Sequence, residues 1–133
     1  METEKSILSC AALIGELLGE DEAVKKNVRM FYPVIAPDKA VCPYVVYRLA
    51  SLNVQPVKVA GHADTAQIEV MCCGSTYEQS VKASEAVRMA LDGIQGESDD
   101  GKLRMRSCLL SGATEGWDSQ TFYRTLTFTV KIN

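Results

Sequence analysis

Thr121-Phe122-Tyr123-Arg124-Thr125-Leu126-Thr127-Phe128-Thr129-Val130-Lys131-Ile132 is the stretch on which the fold turns. Phe122, Leu126, Phe128, Val130 and Ile132 share one face, interrupted only by Arg124, while Thr121, Tyr123, Thr125, Thr127 and Thr129 share the other. A period of two is the signature of a strand with one side toward a core and the other hydroxyl-rich. A sheet with two unlike faces is therefore expected.

Upstream of this strand, Gly112 to Gln120 is a polar stretch that holds the only tryptophan, Trp117. Leu103 to Leu110 predicts another strand, preceded by a polar loop from Gln95 to Gly101. From Thr76 to Leu91 the period changes to that of a helix: Tyr77, Val81, Ser84, Val87 and Leu91 fall on one side, with Ala83, Ala86 and Ala90 beside them. Thr76 with Gln79, or Ser75 with Glu78, has the spacing of a capping box, and Gly93 is a suitable stop. Ala66, Ile68, Val70 and Cys72 alternate as one face of a strand, and Asn53 to Ala63, with Pro56, Gly61 and His62, forms a long hairpin tip before it.

Tyr44-Val45-Val46-Tyr47-Arg48-Leu49-Ala50 is rich in aromatic and β-branched residues and follows Pro43, a residue tolerated at a strand's first position. Val28 to Val34, cut off by Pro33 and Pro37, predicts an edge strand or an extended connection. From Ser6 to Leu18, Ile7, Cys10, Ala11, Ile14, Leu17 and Leu18 mark an amphipathic helix that Gly19 ends, and the segment to Asn27 is polar. The fold class that follows is α+β: a mainly antiparallel sheet with two helices packed on one face, a single domain over residues 1–133. The strand from Tyr44 to Leu52 is apolar on both faces, however, and two helices cover only one. A partner subunit is the simplest cover for the other.

With 133 residues, 47% of them hydrophobic and 23% charged, the chain has a globular composition that disfavours disorder. Fourteen Lys and Arg against 17 Asp and Glu give a net charge of −3, without the basic excess that sequence-specific nucleic-acid binding needs. The N-terminus lacks a basic region, and the apolar run from Ile7 to Leu18 is broken by Ser9, Gly15 and Glu16; neither a signal peptide nor a membrane span is expected. Five cysteines, Cys10, Cys42, Cys72, Cys73 and Cys108, have no CxxC spacing, which suits a reducing compartment.

Signals for chemistry are weak. Gly96 to Lys102 fits GxxxxGK, but Leu103 stands where a hydroxyl would hold magnesium, three carboxylates repel phosphate, and the loop leads from helix to strand rather than the reverse. His62 is the only histidine, so one chain cannot supply a two-histidine metal site, and a Cys/His nucleophile would need His62 to reach a strand cysteine. No catalytic, cofactor-binding or metal residues are assigned, no cofactor is expected, and the chain is read as not an enzyme. Trp117 is either an interface anchor or a lid over the domain's own core. Arg48, Arg104, Arg106 and Arg124 all fall on strands, where they form a basic face or pair with cross-strand carboxylates.

The chain resembles the tail-completion or tail-terminator proteins of long-tailed bacteriophages and prophages. The likeness rests on the N-terminal helix, Tyr32-Pro33 and Ala36-Pro37 before Pro43-Tyr44-Val45-Val46-Tyr47, the strand Gln67-Ile68-Glu69-Val70, the turn and helix from Thr76-Tyr77 to Ala90-Leu91-Asp92-Gly93, and the closing Tyr123 to Val130. It implies a structural virion assembly protein that caps the tail tube as a homo-oligomeric ring, usually of six subunits, and joins tail to head. It also implies contacts with the tail-tube protein and the head-tail connector, and residence in the bacterial host cytoplasm during assembly and then in the virion tail. No sequence-specific nucleic acid and no membrane are among the implied partners. The interface residues expected on this reading are Tyr44, Val46, Gln55, Val57, Lys58, His62 and Trp117. Met71-Cys72-Cys73 and Gly116-Trp117-Asp118 have no counterpart in the family pattern. Two other classes fit the composition: a small ligand-binding or thiol-dependent α+β enzyme using Cys42 or Cys108, and an adaptor domain of a bacterial complex.

Overall fold

A computed structural model describes residues 7–54, 64–98, 101 and 103–132. After a 3₁₀ turn at Ile7–Ser9 come helices α1 (Cys10–Glu20) and α2 (Glu22–Asn27), then strands β1 (Met30–Pro33), β2 (Tyr44–Asn53) and β3 (Asp64–Gly74). Helix α3 (Tyr77–Leu91) precedes β4 (Gly96–Glu97), β5 (Arg104–Asp118) and β6 (Thr121–Ile132). The strands form one six-stranded sheet in the order β1-β2-β3-β6-β5-β4.

The α+β class holds, but its detail is corrected twice. The sheet is mixed rather than mainly antiparallel, because β1 runs parallel to β2, with Met30 beside Tyr44 and Pro33 beside Tyr47. Hydrogen bonds from Arg29 N–H to the Pro43 carbonyl (2.8 Å) and from Val34 N–H to the Tyr47 carbonyl (2.8 Å) bracket that ladder. The connection between them is too long for a tight hairpin and returns the chain to run alongside itself. Helices also number three among the described residues, not two. The Asp21 carboxylate caps α2 by accepting from Val24 N–H at 3.0 Å, and Val24 alone is buried, so six residues carry no readable periodicity.

One face of the sheet holds the core. Val45 of β2, Ala66, Ile68, Val70 and Cys72 of β3, Leu126, Phe128, Val130 and Ile132 of β6, and Met105 and Cys108 of β5 are buried with Leu13, Ile14 and Leu18 of α1 and Ala83, Val87 and Leu91 of α3. Helix α1 lies against β1 and β2, α3 lies against β3, β6 and β5, and α2 packs on α1 and α3. Gly15 lets α1 approach closely: a Cβ there would stand 2.5 Å from the Tyr47 ring.

Of the two capping boxes the sequence allows, the Thr76 one forms. Thr76 Oγ1 accepts from Gln79 N–H at 3.1 Å, and Gln79 Oε1 reaches back to Ser75 N–H at 2.8 Å. Gly74 makes the turn possible, since a Cβ would meet the Ser80 backbone nitrogen at 2.6 Å. At the other end Gly93 adopts φ 85, a left-handed conformation that favours glycine. Its N–H donates to the Cys108 carbonyl, and Asp92 Oδ1 accepts from Leu110 N–H, which fastens the end of α3 to the outer edge of β5.

The two-sided apolar character of β2 is partly resolved by a register shift between Leu49 and Ser51. That bulge turns Leu52 to the helix side, opposite Ala66, and leaves Arg48, Ser51 and Asn53 on the open side. Only Tyr44 and Val46, in the first half of the strand, remain as apolar residues on the face away from the helices.

Candidate assembly surface

The face without helices is ordered in rows set by the strand register. Met30, Tyr44, Cys73, Tyr123 and Gly116 form one row; Tyr32, Val46, Met71, Thr125 and Thr114 form the next. Arg48, Glu69 and Thr127 follow, then Ser51, Gln67, Thr129 and Leu109, then Asn53, Thr65, Lys131 and Ser107. The face is thus aromatic and apolar at one end and polar or basic at the other. Tyr32 and Tyr44 meet edge to face at 5.8 Å, and the Tyr123 ring lies over Gly116, where a Cβ would come within 2.5 Å of its hydroxyl. Val46 and Cys73 are buried even on this side.

Of the residues expected to make contacts, Tyr44 and Val46 sit together in this aromatic end. Trp117 is neither a lid nor buried: it stands 59% exposed. The stretch from Gly112 to Asp118, expected as a loop, instead continues β5 to a two-residue turn at Ser119 and Gln120, both with positive φ (49 and 64), and Trp117 pairs with Phe122 across the hairpin. Gln55, Val57, Lys58 and His62 lie outside the described residues. Met71, Tyr32 and Tyr123 share the aromatic end and were not anticipated. A strand as long as β6 needs a partner of its own length, and that was the available sign.

The strand arginines pair across the sheet rather than forming a basic face. Arg48 meets Glu69 at 2.9 Å, Arg104 meets Glu97 at 3.8 Å, and Arg124 meets Glu115 at 3.1 Å. Arg106 and Lys131 instead line, with Arg104 and Glu97, a hollow of about 660 Å³ at the β4 edge.

Arg124, the one polar interruption of the apolar face of β6, is the centre of a cluster on the helix side. Its guanidinium donates to Glu115, to the Tyr77 hydroxyl at 3.2 Å and to Ser84 Oγ at 3.3 Å, while Tyr77 donates to Glu115 at 3.0 Å. Partial burial disfavours its charge, but the bonds to Glu115 and Tyr77 outweigh that and raise its pKa. Every member has a partner, and Arg124, Glu115 and Ser84 also line the adjoining groove of about 300 Å³ between α3 and the β5–β6 hairpin.

None of the five thiols is activated. Burial raises Cys10 and Cys42; it pushes Cys73 up to about 11, against the opposing hydrogen bond from Tyr44, and Cys108 up to about 12, with Asp92 adding. Cys72, on the helix side, is raised further still by burial. At neutral pH all five are protonated thiols and poor nucleophiles. Among the described residues no three His, Cys, Asp or Glu side chains converge as a metal site, and no helix is long and apolar enough to cross a membrane.

No family model matches the chain, and no curated protein matches it. A solved structure does: a chain of the virion of a native gene transfer agent particle superposes with a TM-score of 0.72 at 14% identity, covering 96% of this chain and 98% of that one. The two chains share a fold over nearly their whole lengths.

Proposed function

We propose that this chain is a structural protein of a phage-like virion that assembles with copies of itself into a ring on the end of the tail tube and joins the tail to the head. The observation that carries the proposal is the fold shared end to end with a component of a gene transfer agent virion.

The distribution of chemistry supports the same reading. The alternative of a thiol-dependent enzyme rests on Cys42 or Cys108, and burial raises both away from the thiolate form. The half-exposed aromatic rows around Tyr44 and Met71 and the exposed Trp117 suit contacts with other virion proteins, the tail-tube protein and the head-tail connector being the partners of this role. A net charge of −3 fits a ring through which DNA passes without being gripped. On this reading the protein acts without a cofactor, assembles in the host cytoplasm and resides in the virion tail.

The test is assembly on tail tubes. Purified protein added to polymerising tail-tube protein is expected to give tubes of arrested length with a ring at one end in negative-stain electron microscopy. Tubes that grow unchecked and carry no added density at any concentration would overturn the proposal.

A further inference from the structure

The two lateral edges of the sheet differ in chemistry but match in height, and we infer that they are the two halves of one self-interface: β1 of one copy pairs with the outer edge of β5 of the next. This inference rests on the ring reading above and specifies the surface that builds it.

Both edges are open at the same level. On the outer side of β5, among the described residues, β4 pairs only with Arg104 and Met105, and the end of α3 occupies Cys108 and Leu110. Among the described residues, no strand lies beside Ser111 to Asp118 on that edge. Reading the register across the sheet, Met30 stands level with Gly116 and Pro33 with Ala113. The whole of β1 therefore lies at the height of the uncovered part of β5. Direction agrees as well: with β1 parallel to β2 and every other pairing antiparallel, β1 and β5 run opposite ways. A copy placed beside this one in the same orientation would present β5 antiparallel to β1, the more favourable ladder.

The β1 edge also carries a cost that a free monomer does not explain. Val34 holds φ 68, a conformation that β-branched residues avoid, in a turn closed by Ile35 N–H donating to the Pro33 carbonyl at 2.7 Å. The result is to turn Val34 and Ile35 outward, 68% and 77% exposed, beside the exposed Met30 and Val41. Strain that displays apolar side chains is characteristic of a contact site. The β5 edge answers with exposed Trp117.

Charge selects unlike edges over like ones. Between residues 28 and 43 Arg29 and Lys39 outweigh Asp38, whereas residues 111 to 120 carry no base and two acids, Glu115, whose charge Arg124 already meets, and the exposed Asp118. Pairing β1 with β1, or β5 with β5, sets like charges together, while β1 with β5 sets opposite charges together and is head to tail, the arrangement that generates rings.

The experiment is a charge exchange read by light scattering, with the protein alone and on tail-tube protein. One variant carries Arg29→Glu and Lys39→Glu; the other carries Thr114→Lys and Asp118→Lys; all four residues are exposed. Each variant alone is expected to assemble at least about tenfold more weakly than the wild type, and an equimolar mixture to regain assembly, because each altered edge then meets its complement. Regained assembly also proves both variants folded. Wild-type-like assembly of either variant alone, or a mixture of folded variants that stays dissociated, would overturn the edge pairing while leaving the ring reading intact. A wild type that assembles in neither setting would remove both.

Discussion

The strands β3 and β6 present two faces made of alternate residues of the same chain, yet the two faces obey different rules. Toward the helices, Ile68, Val70, Phe128 and Val130 are wholly buried in one continuous core. Away from them, Gln67, Glu69, Thr127 and Thr129 stand half-exposed, joined by cross-strand polar contacts such as Thr129 to Gln67 at 3.3 Å. One face is specified by packing within the chain, and the other is held by polar contacts between strands and stays half open to solvent. Cys72 and Cys73, neighbours on opposite faces, report the same contrast: burial raises the first beyond the second.

Alkaline pH should expose that contrast most strongly. Cys72, Cys73 and Cys108 have folded pKa values raised above the unfolded value of 9.0, so the folded chain keeps protons that the unfolded chain releases. Their contribution is fully present below pH 9 and is lost as pH rises toward about 11 for Cys73 and about 12 for Cys108. Each buried thiol costs about 1.4 kcal/mol per pH unit in that window, several kcal/mol in all. Urea unfolding at pH 8 and at pH 10.5 is expected to show this fall, and a flat profile would mean the thiols are far less enclosed than their positions imply. Within the fall, Cys73 on the open face should ionise before Cys72.

Truncating the packed face comes next. Phe128→Ala empties the largest fully buried side chain and is expected to cost about 3–5 kcal/mol in urea denaturation. A cost near zero would mean that the helices do not in fact close on β6.

An arginine on each face offers a finer comparison. Arg124 on the helix side satisfies Glu115, Tyr77 and Ser84, with its side chain 20% exposed, whereas Arg48 on the open side meets Glu69 with its own side chain 48% exposed. Arg124→Met leaves those partners short of a donor and is expected to cost about 1–3 kcal/mol. Arg48→Met should cost less than about 1 kcal/mol, as surface ion pairs do. Equal losses would erase the distinction between the faces.

How far this was legible depends on what kind of signal each element left. Long periodic segments such as 121–132 and 77–91 declared themselves, because burial on one side writes an alternation or a stripe into the residues. Helix α2 left nothing to read, since a single buried valine and an aspartate cap make no pattern. The outer half of β5 was hidden for the opposite reason: Gly112 and Gly116 suggest a loop, but Gly116 is there to admit the Tyr123 ring, a tertiary demand invisible along the chain. Parallel pairing of β1 was equally hidden, because a four-residue strand carries no direction. The Arg124 cluster was visible only as a flaw in an apolar row; its partners come from residues 9 to 47 positions away. Tyr44 and Val46 were legible as candidates because apolar residues on both sides of a strand pose a packing question by themselves.

The smallest effect is the sharpest test, because it changes shape on neither side. Thr and Val are nearly isosteric, so exchanging them in opposite directions isolates the hydroxyl. Val130→Thr puts an extra hydroxyl into a site with no solvent and is expected to cost about 1–3 kcal/mol. Thr127→Val, three residues away on the other face, exchanges a half-exposed hydroxyl for a methyl and should change monomer stability by less than about 0.5 kcal/mol. Urea midpoints of the two variants, measured at concentrations where the protein is monomeric, decide it. If Thr127→Val proves as costly as Val130→Thr, the threonine face is held by bonds within the chain and is not waiting for a neighbour. If only Val130→Thr is costly, the Thr127 hydroxyl has no role in the folded monomer that a methyl cannot fill, and a reason for four threonines in that strand is to be sought in the proposed assembly.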